Sequence, residues 1–311
     1  MSEVMSAAQN SEQKDNSESG EVNEVRLKNL RECILNLEEP VAKRTHAAFH
    51  LRTLGSVSAM WAIADALKKR EDSSLMRHEL AYILGQMQHP ECCETLSDIL
   101  KDESEDVLVR HESAESLGAI GKIEYLEVLQ SFTNHSAPEI AETCQIAVDL
   151  MNYRHKENEG KVESKDQFLS VNPAPAFKDE RGVEELKKDL MDSSLSLFVR
   201  YRVMFSLRNI NDDESALALV EGLKDSSALF RHEVAYVLGQ LMRKVTIPGL
   251  KESLLNKDEH RMVRHEAAEA LGAIGGEEAE EILLLVKDDP EVVVVDSVQV
   301  ALDTIDYWST F

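Results

Sequence analysis

Arg77-His78-Glu79-Leu80-Ala81-Tyr82-Ile83-Leu84-Gly85-Gln86 returns almost letter for letter as Arg231-His232-Glu233-Val234-Ala235-Tyr236-Val237-Leu238-Gly239-Gln240. A close variant follows each copy: Arg110-His111-Glu112-Ser113-Ala114-Glu115-Ser116-Leu117-Gly118, and Arg264-His265-Glu266-Ala267-Ala268-Glu269-Ala270-Leu271-Gly272. His78 to His111 and His232 to His265 are both steps of 33 residues; His78 to His232 and His111 to His265 are both steps of 154. A short unit inside a duplicated block marks a stacked repeat protein, because one unit cannot bury its apolar face alone. In the first copy Leu80, Ile83, Leu84 and Met87 fall at i, i+3, i+4 and i+7, the stripe of a helix buried along one side. His78, Glu79, Tyr82 and Gln86 fall on the other side. In a stack of helical pairs the second helices line one wall, usually the concave one, so that side faces a shared groove.

The same unit extends in both directions. Leu27, Leu30, Ile34 and Leu37 form an amphipathic stripe, Pro40 ends it, and Arg44-Thr45-His46 stands 33 residues before Arg77-His78-Glu79. This first unit lacks the His-Glu pair. Units two (about 56–89) and three (from Pro90) carry His78-Glu79 and His111-Glu112; in unit four, about 122–153, Glu142 takes the place of His. Residues 155–181 break the period with a charged run, Lys156 to Lys161, and with Asn172-Pro173-Ala174-Pro175-Ala176, which the prolines hold extended. Unit five starts near Gly182 and is bare; six and seven carry His232-Glu233 and His265-Glu266; eight has Asp296 where His would stand. The order is bare, paired, paired, bare in both halves. Val292 to Val295 reads as strand by propensity, but the repeat places it at the start of a helix, and context outweighs so weak a signal. The chain is therefore predicted to be all-α: an α-solenoid of eight helical hairpins in two symmetric four-repeat halves, 25–154 and 182–311, joined by a linker at 155–181. Residues 1–24, rich in Ser, Glu, Asn and Gln, read as a disordered acidic tail.

Composition narrows the partners. The net charge of −24 argues against nucleic acid, which needs clustered Lys and Arg, and favours a cationic partner. Four cysteines without CxxC or framework spacing fit a reduced intracellular protein. No apolar run approaches the ~20 residues of a membrane span, and no basic-then-apolar leader opens the chain.

The pairs are where chemistry is expected. Packed helices lie about 8–10 Å apart, so histidines at equivalent positions on neighbours can lean onto one metal. His78 and His111 can share one ion, and His232 and His265 a second. Each half adds two carboxylates, Glu79 and Glu112 or Glu233 and Glu266, and spacing does not choose between them. Imidazole plus carboxylate with open positions suits iron that activates dioxygen; zinc and manganese fit the same ligand types. Gly85 and Gly239, two turns beyond His78 and His232, either clear space beside the site or let helices pack closely. Glu115 and Glu269 read as ordinary exposed helix acids, with added groove charge as the alternative. Arg77, Arg110, Arg231 and Arg264 are expected to pair with acids of the neighbouring unit. His46, His50, His89, His135, His155 and His260 lack the symmetry and read as structural or solvated.

On these four motifs the chain resembles the deoxyhypusine hydroxylase family, HEAT-like repeat enzymes with a dinuclear iron centre, across roughly residues 25–308. The resemblance implies His78, His111 and Glu112 on one iron, and His232, His265 and Glu266 on the other, as Fe2+ in the active form. It implies Glu79 and Glu233 at the amines of the substrate and Met262 near it; Gly85 and Gly239, from their place on the helix face, are taken as further substrate-site positions. The implied reaction is dioxygen-dependent hydroxylation of the deoxyhypusine side chain on a eukaryotic translation factor, in the cytoplasm or also the nucleus. The acidic tail departs from the family pattern. A non-catalytic HEAT scaffold and a helical-repeat lyase acting on tetrapyrroles are the alternatives; neither needs four His-Glu pairs.

Overall fold

Side-chain caps cut the chain into helices where the repeat requires. Ser73, Asp106, Ser196, Ser227 and His260 stand in extended backbone and accept a hydrogen bond from an amide two or three residues on. Gln88, Gly121, Asn211 and Met242 end helices in left-handed backbone. The computed structural model describes residues 23–157 and 168–309, which contain helices joined by short turns and no strand. In the first half α1 (23–35), α3 (Val57–Leu67), α5 (Cys93–Lys101) and α7 (Leu126–Phe132) are outer helices. Each precedes an inner one: α2 (Val41–Leu54), α4 (Ser74–Met87), α6 (Val107–Ile120) and α8 (Pro138–Glu157). The second half repeats this. Its outer helices are α9 (Val183–Leu190), α11 (Asp213–Val220), α13 (Ile247–Leu255) and α15 (Glu277–Leu284). Its inner helices are α10 (Leu197–Ile210), α12 (Ala228–Leu241), α14 (Arg261–Ile274) and α16 (Val292–Ser309). Val292 to Val295 are thus helical, as the repeat predicts.

The inner helices pack in sequence from α2 to α16, and α16 packs back on α2. The stack is therefore a closed circuit, not two walls facing across an open groove. His46 marks the closure, with Nδ1 3.4 Å from Asp303 Oδ2 and its ring 5.8 Å from that of Tyr307. The positions that lost histidine serve the two seams between the halves. Glu142 accepts a hydrogen bond from Ser227, the cap of α12, at 2.6 Å, and Asp296 accepts one from Ser73, the cap of α4. The tyrosines of the paired helices also meet across the twofold-like axis, Tyr82 Oη to Tyr236 Oη at 2.8 Å.

The arginines before the His-Glu pairs are structural, as expected. Arg77 donates Nε to the carbonyl of Leu67, at the end of its own outer helix, and both terminal nitrogens to Glu105 of the next unit. That satisfies a carbonyl the helix end leaves free and fixes the first turn of α4. Arg44, Arg200 and Arg264 repeat the arrangement on Ile34 and Asp72, Leu190 and Asp225, and Leu254 and Asp289. Arg231 takes Glu259 of the next unit and the Asp225 carbonyl. Arg110 departs from the expectation: besides the Leu100 carbonyl it pairs with Glu103 of its own unit.

Residues 168–181 do not hang free between the halves. The Gln86 side chain accepts from Val171 N at 2.8 Å and donates to Val171 O at 3.0 Å. Arg208 holds Asn172 Oδ1 at 2.9 Å, Arg202 holds the Pro175 carbonyl at 3.0 Å, and Phe177 N donates to Ser206 Oγ at 2.9 Å. The segment is pinned to α4 and α10, across the first seam between the halves. Two boundaries shift: α1 already includes residues 23 and 24, and α8 continues to Glu157. The rest of the expected tail, 1–22, and linker residues 158–167 lie outside the described residues.

Candidate metal centre

The Arg-His-Glu order builds the site. The arginine clamps the first turn of each inner helix, so the histidine one position on is aimed at the axis of the ring. Helices α4, α6, α12 and α14 thus deliver His78, His111, His232 and His265 to one place. Ring centroids are 5.4 Å apart for His78–His111 and 5.2 Å for His232–His265. They are equally close across the halves, 5.1 Å for His78–His265 and 5.3 Å for His111–His232. The expected within-half pairs exist inside a tighter cluster of four. Donor atoms of His78, His111 and Glu112 lie within 4.8 Å of one another, as do those of His78, His232 and His265. Glu112 Oε2 is 3.3 Å from His78 Nε2, and Glu266 Oε2 is 3.4 Å from His232 Nε2, so the two second-motif glutamates stand in matching places.

The first-motif glutamates do not match. Glu79 Oε1 meets His78 Nδ1 at 3.2 Å, whereas Glu233 Oε1 is buried without a hydrogen-bond partner. Both nitrogens of His111, His232 and His265 are likewise buried and unpartnered, and so is Nε2 of His78, which is near Glu112 but outside hydrogen-bond geometry. Buried polar atoms are ordinarily paired, at a cost of some 1–3 kcal/mol each when they are not. Seven orphaned imidazole nitrogens beside four carboxylates fit a metal site, and the nitrogen–oxygen donor set suits iron, manganese or zinc.

Burial, then the charges of neighbouring histidines, hold His111 and His265 well below the ordinary imidazole pKa, so both offer a free lone pair. On His78 burial works the same way, but contacts with Glu112 and Glu79 outweigh it and leave the pKa well above the usual value. Burial, then Glu112 and Glu266, push the Glu233 carboxyl up to about 8. This is a site crowded with acids that cations would relieve.

A cavity of about 330 Å³ opens beside the cluster, walled by both His-Glu pairs of the first motifs and by Glu112 and Glu266. Glu115 and Glu269 also line it, which corrects their reading as exposed acids. They lie one turn beyond His111 and His265, on the side that ring closure turns inward. Burial first, then Glu233 and Glu112 for one and Glu79 and Glu266 for the other, raise both carboxyls well above the usual range. Gly239 borders the cavity and Gly85 does not. Both are needed for packing: a Cβ on Gly85 would lie 2.2 Å from Ser116 Oγ, and one on Gly239 3.0 Å from Ala270 Cα. Met262 is buried in the first turn of α14, outside the cavity lining. The sequence reading missed Phe49, Val171 and Pro173 as lining residues. The linker's prolines were the only signal, and they report extension without direction. His89 and His135 bind a carbonyl and Glu103, and His260 caps α14, as befits structural histidines.

The HEAT repeats family model matches residues 62–148 and 218–303, and the PBS lyase HEAT-like repeat model matches 199–225. Human deoxyhypusine hydroxylase is 44% identical over 282 residues, covering 91% of this chain and 92% of that protein. Deoxyhypusine hydroxylase of Drosophila melanogaster is 44% identical over 272 residues, covering 88% and 89%. A solved structure of human deoxyhypusine hydroxylase in complex with glycerol superposes with a TM-score of 0.89, over 93% of this chain and 99% of that one. At that identity, over nearly the whole of each protein, the chain belongs to the deoxyhypusine hydroxylase family.

Proposed function

We infer that the cavity hydroxylates the deoxyhypusine side chain of a protein substrate, a hypusine-bearing translation factor, with dioxygen as co-substrate. The observation that carries this reading is the set of four converging imidazoles with orphaned nitrogens, set in a wall of carboxylates. His78, His111 and Glu112 are proposed to hold one iron, and His232, His265 and Glu266 the other. When bound, the irons supply the activation of dioxygen that an unactivated methylene requires. The protein's part is aim. The substrate arm carries two amines that are cationic at neutral pH, and Glu79 and Glu233 lie at the cavity wall to receive them. Holding the amines fixes which carbon faces the metal ligands. Gly239 is proposed to lie against the arm, and Gly85 and Met262 to shape the wall from behind. A net charge of −24 assists the approach of a cationic loop. No helix among the described residues is long and apolar enough to cross a membrane. A translation factor as substrate supports a cytoplasmic location, with the nucleus as the other. A protein-binding scaffold gains no support from buried, unpartnered imidazoles.

Intact mass spectrometry of a deoxyhypusine-bearing protein, incubated with iron-loaded enzyme, reductant and dioxygen, tests this directly. The expected result is the gain of one oxygen atom, and an unchanged mass sinks the reading. Within it, Glu233→Gln should keep full iron and raise KM about 10- to 100-fold, since a charged hydrogen bond to an ammonium is worth ~1.5–3 kcal/mol. Glu79→Gln should differ by also loosening His78, which it contacts; steady-state kinetics beside metal analysis separate the two.

A further inference from the structure

The duplicated halves give the metal cluster two approaches. On one side the cavity wall comes from Phe49 of α2 with residues of α4 and α14; on the other it comes from α6, α12 and Val171 and Pro173. They are not equivalent. Arg44 and Arg200 each donate Nε to the carbonyl ten residues back, which aligns α2 with α10 and pairs Phe49 with Phe205 and Thr45 with Tyr201. Phe49 is half-buried and lines the cavity, whereas Phe205 is fully buried. Tyr201 is also fully buried, its ring packed between Phe205 and Phe230, where the other half has the smaller Thr45. Ala273 lines the cavity and is exposed; its counterpart Ala119 is buried, and Arg154 donates to the Ala119 carbonyl at 2.6 Å. On the α10 side the segment 168–177 lies over the approach, with Val171 and Pro173 in the cavity wall. Behind Pro173 the remaining space, against Glu115, Thr143 and Ile146, has no room for a water molecule.

Resting on the hydroxylase reading above, we propose that this segment is the end-stop of a one-ended channel. The substrate's diamine arm enters past Phe49, Ala270 and Ala273, crosses His78 and His232 and ends against Val171 and Pro173. The carboxylates suit such a passage. Glu79, Glu269, Glu115 and Glu233 all line the cavity, Glu269 next to Ala270 on the entry side and Glu115 beside Pro173 on the stopped side. An arm with a cationic nitrogen at either end of a short methylene run meets acids at both ends and metal ligands in the middle. The Glu233 oxygen that lacks a partner stands on the stopped side, where the terminal ammonium arrives. The distance from cluster to stop then selects arm length, and Gln86, gripping Val171 at both backbone atoms, sets that distance.

The test uses site-directed blocking in the full chain, in a Cys33→Ser background because the other three cysteines are buried. A bulky maleimide on Ala273→Cys should lower kcat/KM at least about 100-fold with iron content unchanged. The same label on Leu169→Cys, 97% exposed on the strap's outer side, should leave kcat/KM unchanged. Normal turnover by labelled Ala273→Cys, or a block from the label at 169, overturns the one-ended channel. An unlabelled, iron-loaded variant that hydroxylates nothing overturns the hydroxylase reading, and the channel with it. As an independent arm, Val171→Ala should raise the kcat/KM ratio of an aminopentyl over an aminobutyl substrate at least about 10-fold, the scale set by one methylene in a closed pocket. An unmoved ratio removes the role of the stop.

Discussion

His78→Ala and His265→Ala proteins will purify folded, with less iron than the parent and with turnover reduced more than about 100-fold, beyond what loss of an outer-shell partner costs. The frame does not depend on these side chains. Both nitrogens of His265 lack hydrogen bonds, so its removal breaks none, and the arginine clamp of its helix stays in place. The metal does depend on them, because the cluster is shared. Ring centroids 5.1 Å apart across the halves mean that a hole at either position is felt by both proposed irons. The two variants should differ in the metal-free state. His78 stands between Glu79 and Glu112, so its loss leaves two carboxylates facing each other, and apo His78→Ala should be less stable than apo His265→Ala. Metal analysis with thermal scans of apo and loaded protein reads both effects. Undiminished iron in either variant refutes the ligand assignment.

Arg77→Ala should cost about 3–5 kcal/mol of stability, the scale of breaking a buried ion pair by removing one partner. Arg77 and Glu105 are both buried, joined by two hydrogen bonds of 2.5 and 2.6 Å. Truncating the arginine leaves the buried Glu105 carboxylate with only the Asp106 amide at 2.8 Å and Arg70 at 3.7 Å, and frees the Leu67 carbonyl as well. For a chain of 311 residues the melting temperature should fall by about 5–8 °C. Arg110→Ala is the built-in comparison: its partner Glu103 has a side chain 66% exposed, which water can serve once the arginine is gone. A melting shift for Arg77→Ala no larger than for Arg110→Ala would falsify the account of the clamp.

What could be read from the letters was whatever the 33-residue period carries. The helices, their order, the four histidines and the role of the arginines all repeat, and a repeat lets one unit vouch for the next. Even Val292 to Val295 was recoverable in this way. What could not be read depends on curvature, which no single unit states. Closure of α16 on α2 decides that Glu115 and Glu269 face inward, and an isolated helix face does not distinguish groove from solvent. The path of the linker is likewise set by partners far away in sequence: Gln86 and Val171 are 85 residues apart. Glu142 and Asp296 looked like lost histidines; only the assembled ring shows them receiving the caps of the opposite half.

The seam between α2 and α16 also orders events during synthesis. The first inner helix finds its last neighbour only after nearly the whole chain has been made, and contacts so distant in sequence are slow to form. A nascent chain therefore holds half of its imidazoles ready with nothing to complete them. The second pair arrives with α12 and α14, and α16, which carries no histidine of the cluster, then closes the ring on α2.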